Sequence, residues 1–270
     1  MDDPCVSKAE DLARLPLPEP VFQTPTASEM DEYHRCFECA EGLVEIQPPD
    51  TNPKPWDSTF SPFGGACKML GHENLLLAMY DDPELVHAVM DWLCRARIHY
   101  EKKRGALMGY DVKSIEKEWA EDDVNSPFIS RALYEEFVFP YEQRTAQELG
   151  NIHYHSCGNI TPFADLIITL PGLVQVDVSA CSDLKTIAGL VKGRRIRLRK
   201  SPHVMSEVLE ADEAQVRRNI QRITSEAQGV NTFILCEGFY DGQPKTLEKV
   251  SAWTRIAHQE LLSLNKQVLP

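Results

Sequence analysis

The sequence predicts an α/β fold built on a parallel sheet, of the TIM or (β/α)8-barrel type. Three observations carry this reading. From residue 151 onward, short β-rich runs and helical runs alternate regularly, the pattern of parallel strands joined by crossover helices. Two of these runs, 151–157 and 231–236, finish on metal-competent side chains, and parallel α/β folds collect their chemistry where strands end. No glycine-rich nucleotide fingerprint follows any strand, which disfavours an open doubly wound sheet. Six strands read clearly where a closed barrel has eight. Either strands hide in the loops, or the barrel is incomplete at its N-terminal side.

Taken in order, residues 1–40 read as a helical and irregular segment interrupted by Pro16, Pro18, Pro20 and Pro25, and residues 41–270 as the barrel domain. Ser28–Ala40 has the spacing of a helix turning Met30, Tyr33, Cys36 and Phe37 inward. Leu43–Ile46 reads as a strand, and the proline-rich Gln47–Phe63, with Trp56, as a long loop of the length that is often functional. Two helices follow, His72–Tyr80 and Pro83 to about Leu107. Asp82 is a suitable N-cap for the second, with proline at its first position. Tyr110–Trp119 reads as a strand ending in Glu121, Asp122 and Asp123, and Ser130 caps a helix reaching Leu149. Then come strand 151–157, helix 161–170, strand 173–178, helix 183–191, strand 195–200, helix 205–228, strand 231–236 and a closing helix, 247–262.

Composition excludes several classes. With 270 residues, 43% hydrophobic and 26% charged, the chain is long enough for one large domain with a buried core. No apolar stretch approaches the roughly 20 residues of a membrane span, and the acidic N-terminus lacks the apolar core of a signal peptide. A net charge of −13 argues against nucleic acid as a partner and is compatible with docking to a basic protein surface. The eight cysteines form no compact framework of pairs, so they read as reduced thiols of a cytoplasmic protein.

The chemistry converges on Asn151–Asn159. Residues alternate between the two faces of a strand, so His153, His155 and Cys157 share one face, and Gly158 and Asn159 turn the chain. Taken singly, such residues are core cysteines and a hydrogen-bonded histidine. Together with Cys236, at the end of a later strand, they form a zinc set of one imidazole and two thiolates with a fourth position open, the catalytic pattern. Candidates for that fourth position are Cys181, just past strand 173–178, and Asp177 at its end. Two thiolates would cancel the ion's charge and leave a mild Lewis acid able to hold a thiol as thiolate. Glu121, Asp122 and Asp123 sit at another strand end, where carboxylates orient a substrate or relay a proton, or else cap the next helix. His153, one layer deeper, reads as a supporting residue. Arg199 and Lys200, at the end of strand 195–200, are candidates to bind an anionic group of a substrate or cofactor. His34, Cys36 and Cys39 lie in a predicted helix without a second half and read as structural.

These residues carry a resemblance. The chain resembles the uroporphyrinogen-decarboxylase-like superfamily from about Glu10 to Ile256, and within it the zinc- and corrinoid-dependent methyltransferase branch. The resemblance runs through Gly71-His72-Glu73, Asp81 to His87, Glu121-Asp122-Asp123, and Ser130 to Tyr141. It continues in His155-Ser156-Cys157-Gly158-Asn159 and in Cys236-Glu237-Gly238 ahead of Pro244 and Glu248. His-x-Cys with a distant second cysteine marks the methyltransferase branch. The decarboxylases lack these thiols and depend on an N-terminal arginine-rich motif that has no counterpart here. The resemblance also implies that the chain starts after the family's first strand. Lys200-Ser201-Pro202-His203-Val204 departs from the Gly-Asn-x-Asp-Pro of many relatives.

What the resemblance implies is a methyltransferase holding Zn2+ at His155, Cys157 and Cys236. It would move a methyl group between a corrinoid (methylcobalamin), carried on a separate corrinoid-binding protein, and a small thiol acceptor or methylated donor. Self-association into a homo-oligomer is compatible with this. The rival expectations are a decarboxylase-like lyase, which binds no metal and clusters arginines in its pocket, and a truncated barrel acting as a non-catalytic subunit.

Overall fold

The computed structural model describes residues 6, 8–40, 42, 44–236 and 243–268. Among these, five strands form one parallel sheet in the order of the sequence: β1 (Lys117–Ala120), β2 (Ile152–His155), β3 (Leu173–Val178), β4 (Arg197–Lys200) and β5 (Thr232–Ile234). Each crossover passes through helix: the helical segment 131–149 (α6, Arg131–Leu133; a π-helical turn, Tyr134–Val138; α7, Phe139–Leu149), then α8 (Ala164–Ile167), α9 (Leu184–Val191) and α10 (Glu213–Glu226). Sequential parallel neighbours joined by helices are the connectivity of a (β/α) barrel. The remaining helices are α1 (Ala9–Leu12), α2 (Ala27–Ala40), α3 (Pro62–Leu70), α4 (His72–Asp81), α5 (Pro83–Met108) and the closing α11 (Pro244–Val268). No helix among the described residues is long and apolar enough to cross a membrane.

The strand register sorts the sheet into two unlike faces. Glu118 pairs with His153, His153 with Gln175 and Gln175 with Arg197; one layer on, Asp177 pairs with Arg199. These polar residues share one face. The opposite face carries Trp119, Ile152, Tyr154, Val176, Val178 and Leu198, all buried in the main apolar core under the helices. A smaller cluster of Val208, Val216, Ile220, Trp253 and Ile256 joins α10 to α11.

Local signals set many element ends. Asp82 accepts the Leu85 N–H (3.1 Å) ahead of Pro83 and starts α5, and Gly109, at φ 73°, ends it. Ser130 accepts the Leu133 N–H (3.3 Å) and opens α6. Pro140 has no N–H to return to the preceding turn, and the helix widens into its π turn just before it.

Four sequence expectations change. The run 110–119 yields a strand only over 117–120, because Asp111 accepts the Lys113 N–H (2.9 Å) and closes a turn there instead. The expected helix 205–228 is divided: Val204–Leu209 is a π-helical turn, and Asp212 caps a fresh start of α10 by accepting the Gln215 N–H (2.7 Å). The helix at 27–40 forms on a Thr26/Glu29 capping box, but none of its residues is buried, and Phe37 is 59% exposed.

Finally, Val44–Ile46 forms no strand (Leu43 lies outside the described residues). Lys117 and Glu121 bond β2 through their N–H groups, so Glu118 and Ala120 turn their carbonyls to the outer edge of β1. Those carbonyls are taken by side chains: Arg97 Nη2 donates to Glu118 O (3.1 Å) and Ser61 Oγ to Ala120 O (3.0 Å). Two of the carbonyls a further strand would pair with are thus already bonded.

Glycine fixes the close approaches. Gly172, at φ 71°, would place a Cβ 2.8 Å from Gly150 Cα; Gly193, at φ 79°, has open space. Gly193→Ala is expected to cost about 1–2 kcal/mol for the left-handed backbone alone, and Gly172→Ala clearly more. Urea unfolding of the two variants checks the order, and equal losses would contradict the packing.

Candidate metal centre

The centre lies where β2 ends. Its loop is pressed onto the loop after β1: a Cβ on Gly158 would sit 2.1 Å from Asn125 Cβ, so only glycine fits. Ser126 N–H donates to Asn159 O (3.0 Å) and Ser156 Oγ to Val124 O (3.3 Å), closing the two loops together. This brings Asp122 to Cys157, whose backbone N–H donates to Asp122 Oδ1 (2.8 Å). His155 Nε2 then lies 3.3 Å from Cys157 Sγ and 3.6 Å from Asp122 Oδ1. The three donor atoms are within 4.8 Å of one another.

Asp177 decides how His155 presents itself. This carboxylate on β3 is 2% exposed. Its Oδ1 is 2.7 Å from His153 Nε2, its Oδ2 is 2.7 Å from His155 Nδ1, and Arg199 Nη2 donates to Oδ2. Burial would raise the Asp177 carboxyl, but the hydrogen bonds of His153 and His155 and the charge of Arg199 outweigh it and hold the pKa at about 2. An ionised carboxylate only accepts, so contact at 2.7 Å puts the proton on His155 Nδ1. Arg199 Nη2 also lies 2.9 Å from that nitrogen. A bare Nδ1, however, would set its lone pair against Oδ2. The proton on Nδ1 leaves Nε2 unprotonated, with its lone pair on the side of Cys157 and Asp122, the form a metal ligand needs.

The donor set therefore fits a zinc ion: a neutral imidazole, a thiolate and a carboxylate that together cancel two positive charges. Behind it the polar face continues. Gln175 donates to Asp177 Oδ1 (3.1 Å), Arg197 Nε donates to Gln175 Oε1 (2.8 Å), and Arg197 Nη2 bonds Glu116 (2.6 Å).

The other sequence candidates, Arg199 apart, lie outside this donor group. Asp123 turns away from Asp122 and meets His72 Nε2 at 2.9 Å. Glu121 is fully buried; its carboxylate accepts the N–H groups of Phe63 (3.4 Å) and Gly64 (3.2 Å) in the first turn of α3. Burial and the nearby Glu142 charge push its pKa well above the usual carboxylate value. Lys200 is buried, and its Nζ donates to Ser179 O (2.5 Å), joining β4 to the loop after β3. Arg199 packs against Asp177 and His155. Cys181 is exposed in the turn after β3, its N–H donating to Ser179 Oγ (3.2 Å). Cys236 follows β5 and packs, half-buried, against the α10–α11 cluster. Among the described residues, the three-donor group at His155 contains neither cysteine; Glu237 and Gly238 lie outside the described residues. Asp122 read as a substrate-orienting or relay carboxylate in the sequence; the closeness of Gly158 to Asn125, which draws it to Cys157, left no sequence signal beyond the glycine itself.

A family model described as uroporphyrinogen decarboxylase (URO-D) matches residues 58–260. The chain belongs to the uroporphyrinogen decarboxylase family. The fold of this family is the TIM barrel, and the five sequential parallel strands are arranged as part of one. The chain is also similar to the solved structure of a methyltransferase from Methanosarcina mazei, with a TM-score of 0.57 at 16% identity. That match covers 74% of this chain and 56% of the other, and it is a likeness of fold. No curated protein matches the chain.

Beneath the centre, Glu142 is fully buried and accepts from Tyr134 Oη (2.5 Å) and Tyr154 Oη (3.0 Å). Burial raises its pKa from 4.5 to about 7 against the pull of those hydrogen bonds. The folded state therefore keeps a proton that the unfolded chain releases, and stability falls as pH rises from about 4.5 to about 7, by on the order of 3 kcal/mol. Glu142→Gln is expected to lose this part of the slope. Unfolding free energies at both ends of the window check it, and an unchanged slope would refute the assignment.

Proposed function

We propose that this chain is a zinc-dependent methyltransferase that moves a methyl group between a corrinoid on a separate protein and a small thiol or methylated substrate. The observation that carries the reading is the group of His155 Nε2, Cys157 Sγ and Asp122 Oδ1, with His155 fixed from behind by Asp177. Membership of the URO-D family and the fold shared with a methyltransferase support it. These three residues would hold the ion, and bound zinc would supply Lewis acidity, keeping a thiol as thiolate at neutral pH or polarising a methylated heteroatom.

The chain's own residues do the positioning. Asp177 orients the imidazole and raises its basicity, Arg199 offsets the Asp177 charge, and the Cys157 N–H fixes the rotamer of Asp122. Cys157 and Asp122 are exposed, so the centre is open to solvent. A cofactor presented on another protein's surface needs such an opening. The thiol chemistry suits a reducing compartment such as the cytoplasm.

Cys236 is where the sequence-based ligand set and the geometric one differ, and its replacement separates them. Cys157→Ser is expected to lose one equivalent of bound zinc and to reduce methyl transfer from methylcobalamin to an added thiol, followed by absorbance, to background. Asp177→Asn is expected to keep the fold and weaken zinc affinity by roughly 10- to 100-fold. If Cys236→Ser loses the same equivalent of zinc as Cys157→Ser, Cys236 joins the set. Full transfer by the Cys157→Ser protein, or by zinc-free wild type, overturns the reading. Zinc binding without transfer supports a non-catalytic subunit, and absence of zinc favours the lyase.

A further inference from the structure

A second cluster of metal-competent side chains stands apart from the centre at His155. Cys67 lies in the last turn of α3, His72 is the first residue of α4, and Asp123 follows β1. One donor atom from each, a sulfur, a ring nitrogen and a carboxylate oxygen, fall within 4.8 Å of one another. We propose that Cys67, His72 and Asp123 form a second binding site for a thiophilic divalent cation such as Zn2+, Co2+ or Cd2+.

The backbone builds the approach. Gly71, at φ 80°, ends α3 by donating its N–H to Cys67 O (2.9 Å), and its own carbonyl accepts from Leu75 N–H (2.9 Å) in α4. A left-handed residue here lets one helix stop and the next begin within a single step. His72, the residue after the glycine, is thereby turned back toward Cys67, five residues before it, which gives a Cys-x4-His pair.

Asp123 reaches the pair from a different element, and its Oδ1 lies 2.9 Å from His72 Nε2. The Phe128 ring packs edge-on to the imidazole at 5.6 Å and restricts its swing. Neighbouring Asp122 serves the other centre, so two consecutive carboxylates end in two different donor groups.

Burial is graded in the way a loadable site requires. Cys67 is 1% exposed, whereas the side chains of His72 and Asp123 are 58% and 29% exposed. The sulfur forms the floor, and the nitrogen and oxygen form an open rim through which an ion enters and a fourth ligand binds. Sulfur, imidazole and carboxylate together suit zinc-like ions; Mg2+ and Ca2+ prefer all-oxygen sites.

The test is Co2+ titration of the chelator-stripped full chain, reading the thiolate-to-cobalt charge-transfer band, on wild type, His72→Ala, Cys157→Ser and the double variant. His72 is exposed, so its variant should fold, as circular dichroism checks; Cys67→Ala gives a second, independent removal. The expected result is two equivalents for wild type, one for each single variant and none for the double. A wild type that binds only one equivalent, unchanged in His72→Ala and Cys67→Ala, overturns the second site and leaves the centre at His155 standing, with the three side chains merely hydrogen-bonded. A wild type that binds a single equivalent, lost in His72→Ala but kept in Cys157→Ser, supports this site and removes the metal basis of the proposed function. No thiolate-bound cobalt in wild type overturns both.

Discussion

A single ionised carboxylate holds the polar face of the sheet together. Asp177 stands on the central strand, with an imidazole from β2 on each of its oxygens and a guanidinium from β4 on one of them. A buried charge costs several kcal/mol unless partners compensate, and leaving one unpaired typically costs about 3–5 kcal/mol. The depressed pKa of Asp177 says that here the partners win. The arrangement depends on register. The pairing shifts between Ile152 and His153, setting His153 opposite Gln175, with Asp177 one layer further on, where it reaches both histidines. Everything proposed for His155 follows from which of its nitrogens that carboxylate occupies.

Around this clamp the fold is finished by side chains and loops. The outer edge of β1 is closed by Arg97 and Ser61, and Glu121 anchors the start of α3 from the floor below. The loops after β1 and β2 are drawn together at Gly158, and their two aspartates part there, one to Cys157 and one to His72. The same short segment thus serves the mouth of the sheet and the junction of α3 with α4.

Much of this was legible in the sequence, because it rests on local or periodic signals. The alternation of His153, Tyr154 and His155 gave the strand and its faces, and Asp82-Pro83 and Ser130 gave helix starts. The features that escaped depend on long-range placement. Leu43–Ile46 has the composition of a strand, but two carbonyls on the outer edge of β1 are taken by Arg97 and Ser61. Asp122 is drawn in as a donor by a backbone contact between loops, and Glu121 next to it is turned inward under a helix end. Cys236 matches the pattern of a distant ligand and packs against the α10–α11 cluster, and the zinc content of its variant decides whether it joins the set. Periodicity places residues on faces; it does not say which strand-end loops meet.

The most direct test of this account is the tautomer of His155, read from the imidazole 15N resonances of histidine-labelled, metal-free protein with Asp177→Asn as the comparison. Wild type is expected to carry the proton on Nδ1 with Nε2 unprotonated, and the preference to weaken in the variant. A proton on Nε2 in wild type, with Nδ1 accepting from Arg199, would contradict it.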